Sequence, residues 1–479
     1  MTRMLAKNAT YLTLASTGQK VVAFLYFLFL ARVMQPENTG AYFLALSITI
    51  IFSVIADFGI TSVVIREIAK ARGDAVRLIR GALFLKVPLI ILGGGGAYLT
   101  GFFLNYDAVI LHLIVYSIVV LLFDAISLLF YGILRGCQSL QYESLGIFVG
   151  QIISASVGGL VLIFEPRLSF LIFALMLGSG WNMIFSAFQI YRKFGRSVFL
   201  PMFDHTLLRP LLTMTVPFAL AAIFVKIYSY VDSIFISKFL DTEAVGIYSI
   251  AYKYTYAFQF LPLAFVAALY PTFSSQMAGD QTALKQTFDS SIWYMLILSV
   301  PIAFGLWAVA PEAVQLAGSE YAASAIVLQS LVFVLIPIFL DFPVGSLLNA
   351  ADRQSTKTWL MGITMVINII LNALFIPQFG IVGAAYAALV SFSFLFLSSF
   401  AFVSSLIAGV TWGRLIKIAL PIITSGVVMC LVVVVLKPLI GFIPVIVVGA
   451  IVYLIMLFLT GSLRKETIVS YVTSTTRHS

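Results

Sequence analysis

Residues 23–45 read AFLYFLFLARVMQPENTGAYFLA, and 206 residues further on, with no gap, residues 229–251 read SYVDSIFISKFLDTEAVGIYSIA. Phe29 falls on Phe235, Glu37 on Glu243, Gly40 on Gly246, Tyr42 on Tyr248 and Ala45 on Ala251, while Arg32 meets the like-charged Lys238. Each copy is an apolar run, a short polar turn and a second apolar run, so the chain carries one helical hairpin twice in the same register. The same shift places Lys20 on Lys226, and both sit inside otherwise apolar runs. A cation at mid-bilayer costs about 3 kcal/mol or more, so each is expected to face a cavity or a partner.

Working outward, composition fixes the class. Of 479 residues, 61% are hydrophobic and 10% charged, with a mean hydropathy of +1.08. Soluble domains carry about 25% charged residues. The apolar runs reach the ~20 residues that cross a bilayer as a helix, and the ~10-residue alternating segments of a membrane barrel are missing. The expected fold is an all-α membrane protein. The two cysteines, Cys137 and Cys430, exclude a disulfide framework and make a cysteine-based metal centre implausible. The opening MTRMLAKNATYL holds two cations before an apolar stretch and lacks a small-residue cleavage site, so it reads as a retained first span.

Hydropathy predicts about fourteen spans, at 11–34, 39–64, 79–104, 108–134, 143–164, 168–191, 208–239, 244–272, 289–310, 322–349, 357–376, 380–408, 414–436 and 440–460. With both termini placed in the cytoplasm, twenty of the 28 Lys and Arg residues fall on the cytoplasmic side, among them Arg66, Arg135, Lys357, Arg414 and Lys417. Four, Arg32, Arg167, Lys238 and Lys437, fall outside. That asymmetry obeys the positive-inside rule. It also explains the pI of about 9.4 through topology, without a nucleic-acid partner. The remaining four cations, Lys20, Lys86, Lys226 and Lys253, lie within predicted spans.

The repeated hairpins begin at the first and seventh spans. Six spans separate them, so both copies cross the membrane in the same direction, and their symmetry axis is expected along the membrane normal. The expected organisation is a lobe at 1–200, a second at 201–410, and a segment at 411–479 with two further spans and a cytoplasmic tail. The basic loop YRKFGRSVFLPMFDHTLLRP (191–210) joins the lobes.

Five stretches in order resemble the oligosaccharide flippases of the polysaccharide-biosynthesis family (Wzx type), within the multidrug/oligosaccharidyl-lipid/polysaccharide exporter superfamily. They are ARVMQPENTGAYFLA (31–45), IADFGITSVVIREIAK (55–70), YVDSIFISKFLDTEAVGIYSIAYK (230–253), FLPLAFVAALYPTFS (260–274) and NIILNALFIPQFGIVGAAYAALVS (368–391). The resemblance implies two six-helix bundles plus two C-terminal helices in a MATE-like fold. It implies alternating access and translocation of a polyprenyl-diphosphate-linked oligosaccharide between leaflets of the cell membrane. The two extra helices resemble those of the lipid II flippase, where they form a groove for the lipid tail.

A diphosphate head carries about two negative charges, and a lysine–phosphate contact strengthens as the dielectric falls. Lys20, Lys226 and Lys253 are therefore the candidate head-group residues, with Tyr252 and Tyr256 offering hydroxyls and flat faces for sugar rings. Snorkelling or a salt bridge is the structural alternative for each. Lys86, near the cytoplasmic end of its span, is expected to snorkel. Asp57, Asp124, Asp232 and Asp341 could pair with the lysines or bind a coupling proton or sodium ion. Asp57 is expected to cap its helix or pair with Arg66, and Asp232 to reach a different helix.

GGGG at 93–96 lacks the Lys–Ser/Thr of a phosphate loop and reads as a flexible or closely packed stretch. Gly146 and Gly150 have the spacing of a tight helix contact. Pro217, Pro262, Pro301 and Pro337 are expected to bend spans. Asp241 and Glu243 suit a loop role better than a metal site. The histidines His112, His205 and His478 are too dispersed for a cluster, and no cofactor motif or ATP-binding motif is present. The longest loops, about 15 residues on the cytoplasmic side and basic in character, argue against a membrane polymerase or glycosyltransferase. An ion-coupled drug antiporter, expected to have a carboxylate-dominated cavity, and a peptidoglycan-precursor flippase remain the alternatives.

Overall fold

The computed structural model describes residues 2–70, 75–277 and 279–463. Arg72, Arg464, Lys465, Arg477 and His478 lie outside the described residues. The described chain is helical and contains no strand. In order, the elements are α1 (Thr2–Asp57), α2 (Ile60–Lys70), α3 (Ala75–Phe103), α4 (Ala108–Gly136), α5 (Leu140–Phe164), α6 (Leu168–Phe194), α7 (His205–Phe239) and α8 (Thr242–Tyr256). They continue as α9 (Phe260–Met277), α10 (Gln281–Gln315), α11 (Ser324–Leu331), α12 (Leu335–Ala350), α13 (Gln354–Phe379), α14 (Ile381–Leu406), α15 (Trp412–Ile440) and α16 (Phe442–Leu459). Among the described residues, eleven helical stretches are long and apolar enough to cross a bilayer. The first, Thr17–Lys70, has 54 residues, more than twice the ~20 that one crossing needs.

Local chemistry divides these helices. α1 breaks at Gln35, whose φ of 63° lies in the left-handed region. Pro36 follows, removing an N–H and restricting the residue before it. Phe58 and Gly59, both at positive φ, separate α1 from α2. Asp107 caps α4 by accepting from the Ile110 N–H at 2.8 Å, and Asp280 caps α10 through the Thr282 and Ala283 N–H groups at 2.9 Å.

The chain forms two compact units, Met1–Ser249 and Ile250–Ser479. In the first, α2, α3, α4 and α7 bury a core around Ile60, Val64, Ile79, Leu129 and Leu211. The GGGG stretch is closely packed on one side. A Cβ on Gly93 would come within 2.9 Å of the Phe52 carbonyl, and one on Gly96 within 2.4 Å of the Phe52 ring, whereas Gly95 faces open space. Gly146 and Gly150 likewise let Tyr131 and Asn182 approach the α5 backbone. In the second unit α10 packs against α11, α12 and α15, and α13 against α14.

The duplicated hairpins meet within the first unit. A Cβ on Gly40 would lie 1.9 Å from the Thr242 carbonyl oxygen, and a Cβ on Gly246 would lie 1.9 Å from the Pro36 carbonyl oxygen. Residues 40 and 246 match in the repeat, and so do 36 and 242, so the two contacts are one contact made twice. Such reciprocity is the signature of a two-fold relation between similar surfaces.

A second correspondence runs through the corners between α4 and α5 and between α12 and α13. Gln138 (φ 58°) and Asp352 (φ 55°) are both non-glycine residues in the left-handed region. Around the first, Gln138 N–H donates to Arg135 O and Ser139 N–H to Leu134 O. Around the second, Asp352 N–H donates to Asn349 O and Arg353 N–H to Leu348 O. The two corners share one hydrogen-bond pattern, typical of a helix C-terminus closed by a left-handed residue.

Candidate functional site

The first unit holds a polar cavity of about 460 Å³, within the range of ~300–1,000 Å³ usual for small-molecule sites. One face of α4 supplies much of its wall: Ser117, Leu121, Asp124, Ser127, Leu128, Tyr131 and Arg135. Apart from the adjacent Ser127 and Leu128, these recur at three- and four-residue intervals, which is one stripe of an α-helix. α1 adds Gln19, Thr49 and Ser53, α5 adds Glu143, α6 adds Asn182, and α7 adds Lys226 and Tyr230.

The wall is pre-ordered by its own hydrogen bonds. The Tyr131 hydroxyl donates to Asn182 Oδ1 at 2.9 Å, and Asn182 Nδ2 donates to the Gly178 carbonyl at 3.1 Å. Arg135 forms a two-pronged ion pair with Glu143, its Nε donating to Oε2 at 2.6 Å. Glu143 is 2% exposed, so this pairing is required to keep its charge in the interior. The Ser179 hydroxyl interacts with Asp124. Lys226 Nζ stands 5.5 Å from the centre of the Tyr230 ring, a cation–π contact. With Arg135 and Glu143 neutralising each other, Lys226 and Asp124 are the two further charged residues of the wall. It is therefore neither a purely cationic nor a carboxylate-dominated pocket.

The sequence-predicted residues separate in the structure. Lys226 and Asp124 share the cavity. Lys20 follows the lining residue Gln19 on α1 and does not itself line the wall. Lys253, Tyr252 and Tyr256 lie in the second unit, where the two tyrosine rings pack with centroids 4.3 Å apart. Asp232 is buried and accepts from the Tyr248 hydroxyl on α8 at 2.7 Å, so it does reach another helix.

Asp57 and Lys86 depart from expectation. Lys86 does not snorkel: it is 1% exposed, and its Nζ donates to Asp57 Oδ1 at 2.6 Å. Asp57 also accepts from the Thr61 hydroxyl, and Arg66 turns instead to Glu67 and the sulfur of Met214. Helical packing between α1 and α3 brings the two charges together, a pairing that hydropathy cannot show. Asp341 pairs with Lys357, which also donates to the Ser399 hydroxyl at 3.0 Å. Lys357, placed on the cytoplasmic side from sequence, is buried. Asp241 accepts from the Ala244 N–H at 2.7 Å, a loop role, and no cluster of metal-ligating side chains exists among the described residues.

Outside the spans, Arg77 on α3 donates from Nε to Asp204 Oδ2 at 2.6 Å and from Nη2 to the Thr206 hydroxyl at 2.9 Å. The hydrogen bond from Thr206 and the Arg77 charge hold the Asp204 carboxyl below its usual range.

Comparison with known proteins follows this geometry. Residues 5–277 match the polysaccharide biosynthesis protein family, and residues 217–374 match the MatE family. The chain is 25% identical over 400 residues to the probable low-salt glycan biosynthesis flippase Agl15 of Haloferax volcanii, covering 81% of each chain. It is 24% identical over 328 residues to the succinoglycan biosynthesis transport protein ExoT of Rhizobium meliloti, covering 67% of this chain and 64% of that protein. Among solved structures, the lipid II flippase MurJ in an inward closed conformation superposes with a TM-score of 0.74 at 16% identity, over 95% of this chain and 99% of that one. An inward-facing multidrug resistance MATE transporter of the MOP superfamily gives 0.69 at 15% identity, over 82% and 95%. These likenesses establish a MATE-like, multi-pass membrane fold. The family match spans more than half of the chain, and the protein belongs to the polysaccharide biosynthesis protein family.

Proposed function

We propose that this protein is a flippase that carries lipid-linked oligosaccharide from the cytoplasmic to the outer leaflet of the cell membrane. The observation that carries the reading is the cavity of the first unit. It offers a membrane protein's interior a cation, a carboxylate, an amide pair and several hydroxyls. Sugar hydroxyls need donors and acceptors in alternation, which Asn182, Gln19, Tyr131 and the serines supply. Lys226 supplies a charge for the phosphate group at low dielectric. The glycan-flippase names of Agl15 and ExoT's transport role in succinoglycan biosynthesis support the same cargo class. The repeat supports lobes at 1–200 and 201–410 that alternate access to the cavity.

Transport of a fluorescent diphosphate-linked oligosaccharide in proteoliposomes tests the reading. Lys226→Ala, alone and with Lys20→Ala, is expected to slow flipping by roughly tenfold or more, the value of a lost charge-assisted hydrogen bond. Unchanged flipping in folded variants moves the head-group site elsewhere.

A second element rests on Asp124. Its place in the same cavity supports a carboxylate that takes up a coupling proton or sodium ion while Lys226 holds the cargo.

A further inference from the structure

The second unit contains a separate polar pocket of about 250 Å³, where the start of α15 meets the end of α16. Arg414, Lys417, Thr460 and Ser462 line it beside Trp293. Arg414 Nε is held by Asp289, a carboxylate 5% exposed, so the guanidinium is fixed in direction. Lys285 also acts on Asp289. Asp289 is thus shared between Arg414 and Lys285, while the pocket lining holds, among the described residues, the two cations Arg414 and Lys417 and no carboxylate, so its surplus is positive. No ion pair among the described residues engages Lys417, and its side chain is exposed. The Thr460 hydroxyl lies 3.4 Å from the Ser425 hydroxyl and 3.3 Å from that of Ser462. Hydroxyls in such a chain can rotate to donate to an anion.

We infer that this pocket binds the phosphate group of an anionic membrane lipid. Its volume falls below that of usual drug-sized pockets, ~300–1,000 Å³, which suits a compact head group. Its cations stand at the start of α15, beside the end of α16 and on the face where the sequence concentrates Lys and Arg, and basic pockets between helices on that face take anionic lipid heads. The chain of such a lipid has a surface to follow: Ile416, Leu420, Phe458 and Leu459 are each about 60% exposed beside the pocket. This site is independent of the cavity in the first unit and of what that cavity carries.

The test uses the full-length protein in neutral detergent, titrated with phosphatidylglycerol and read by native mass spectrometry. Inorganic phosphate alone is the second arm. Lys417→Gln is expected to weaken lipid retention about fivefold, the effect of one cation at an anionic surface. Lys193→Gln, the same charge change at the end of α6, is expected to leave retention unaltered. Thr460→Val combined with Ser462→Ala, which alters no charge, is expected to weaken it too. Equal loss in the two lysine variants, no loss in Lys417→Gln, or no loss in the hydroxyl variant would overturn the site. Binding of inorganic phosphate as strong as that of the lipid would overturn the lipid assignment.

Discussion

Glu143 and Lys357 stand at one position of the duplicated fold and carry opposite charges. Each lies five residues beyond a left-handed corner residue, Gln138 or Asp352. Each is buried, and each is neutralised from the preceding helix, Glu143 by Arg135 on α4 and Lys357 by Asp341 on α12. The repeat has kept an ion pair between the same two helices and exchanged which helix holds the cation.

The members of these pairs differ in access to water, and that predicts an asymmetry. Glu143 is 2% exposed and Arg135 38%. Arg135→Gln strands a buried carboxylate and is expected to cost about 3–5 kcal/mol, whereas Glu143→Gln leaves a cation that can reach solvent and costs less. Asp341→Asn should likewise exceed Lys357→Met, since Lys357 is the more buried partner. Unfolding midpoints of the purified variants in detergent check the order. An equal cost for both members of a pair would refute it.

The reciprocal contact of Gly40 and Gly246 leaves no room for a side chain. Gly40→Ala and Gly246→Ala would each drive a Cβ onto a backbone carbonyl, and overpacking of this kind costs at least ~1–3 kcal/mol. Both should reduce folded yield to a similar degree. Gly95→Ala and Gly159→Ala face open space and should be tolerated, as size-exclusion profiles of the four variants will reveal.

If Asp124 takes up the coupling ion, Asp124→Asn separates binding from coupling. Flipping driven by an imposed proton or sodium gradient is expected to fall to the rate without a gradient, while cargo binding persists. Retention of the full gradient effect would exclude Asp124 from that role.

Asp204 gives a pH dependence with a definite sign. Its carboxyl titrates below the usual value of about 3.9 because Thr206 and Arg77 favour the charged form. The stabilisation is therefore complete above that usual value and lost as pH falls through the lowered one. Asp204→Asn should flatten this acid limb by lowering stability at neutral pH, and the variant should converge with the parent protein as the carboxyl becomes protonated. Thermal melts from neutral pH down to about 2, well below the usual carboxylate value, measure the difference.

Much of the fold was legible because a bilayer simplifies the problem. Each stretch predicted from hydropathy falls on helix, and the repeat seen at Gly40 and Gly246 marks a real contact between the copies. The cavity was only half legible. Isolated charges such as Lys226 and Asp124 stand out in apolar runs. Tyr131 and Asn182 do not, because tyrosine and asparagine are unremarkable singly. A signal was available on α4, where Ser117, Asp124, Tyr131 and Arg135 fall at intervals of seven, seven and four, one polar stripe along an otherwise apolar helix. The partners of Asp57 and Asp341 were not legible. They depend on which helices touch, and that is set by packing between segments far apart in the chain.

The backbone contact at Gly40 and Gly246 bears on how such a chain could have arisen. A half-length ancestor would have carried a bare strip of main chain at this glycine, with a neighbouring carbonyl pointing outward from the turn. The surface that fits such a strip is a second copy of itself, since the contact is its own complement. Fusion of two such copies would have turned self-association into a covalent certainty and freed the duplicates to diverge. A chain ending before α7 should accordingly self-associate, and one bearing Gly40→Leu should not, as cross-linking in membranes can establish.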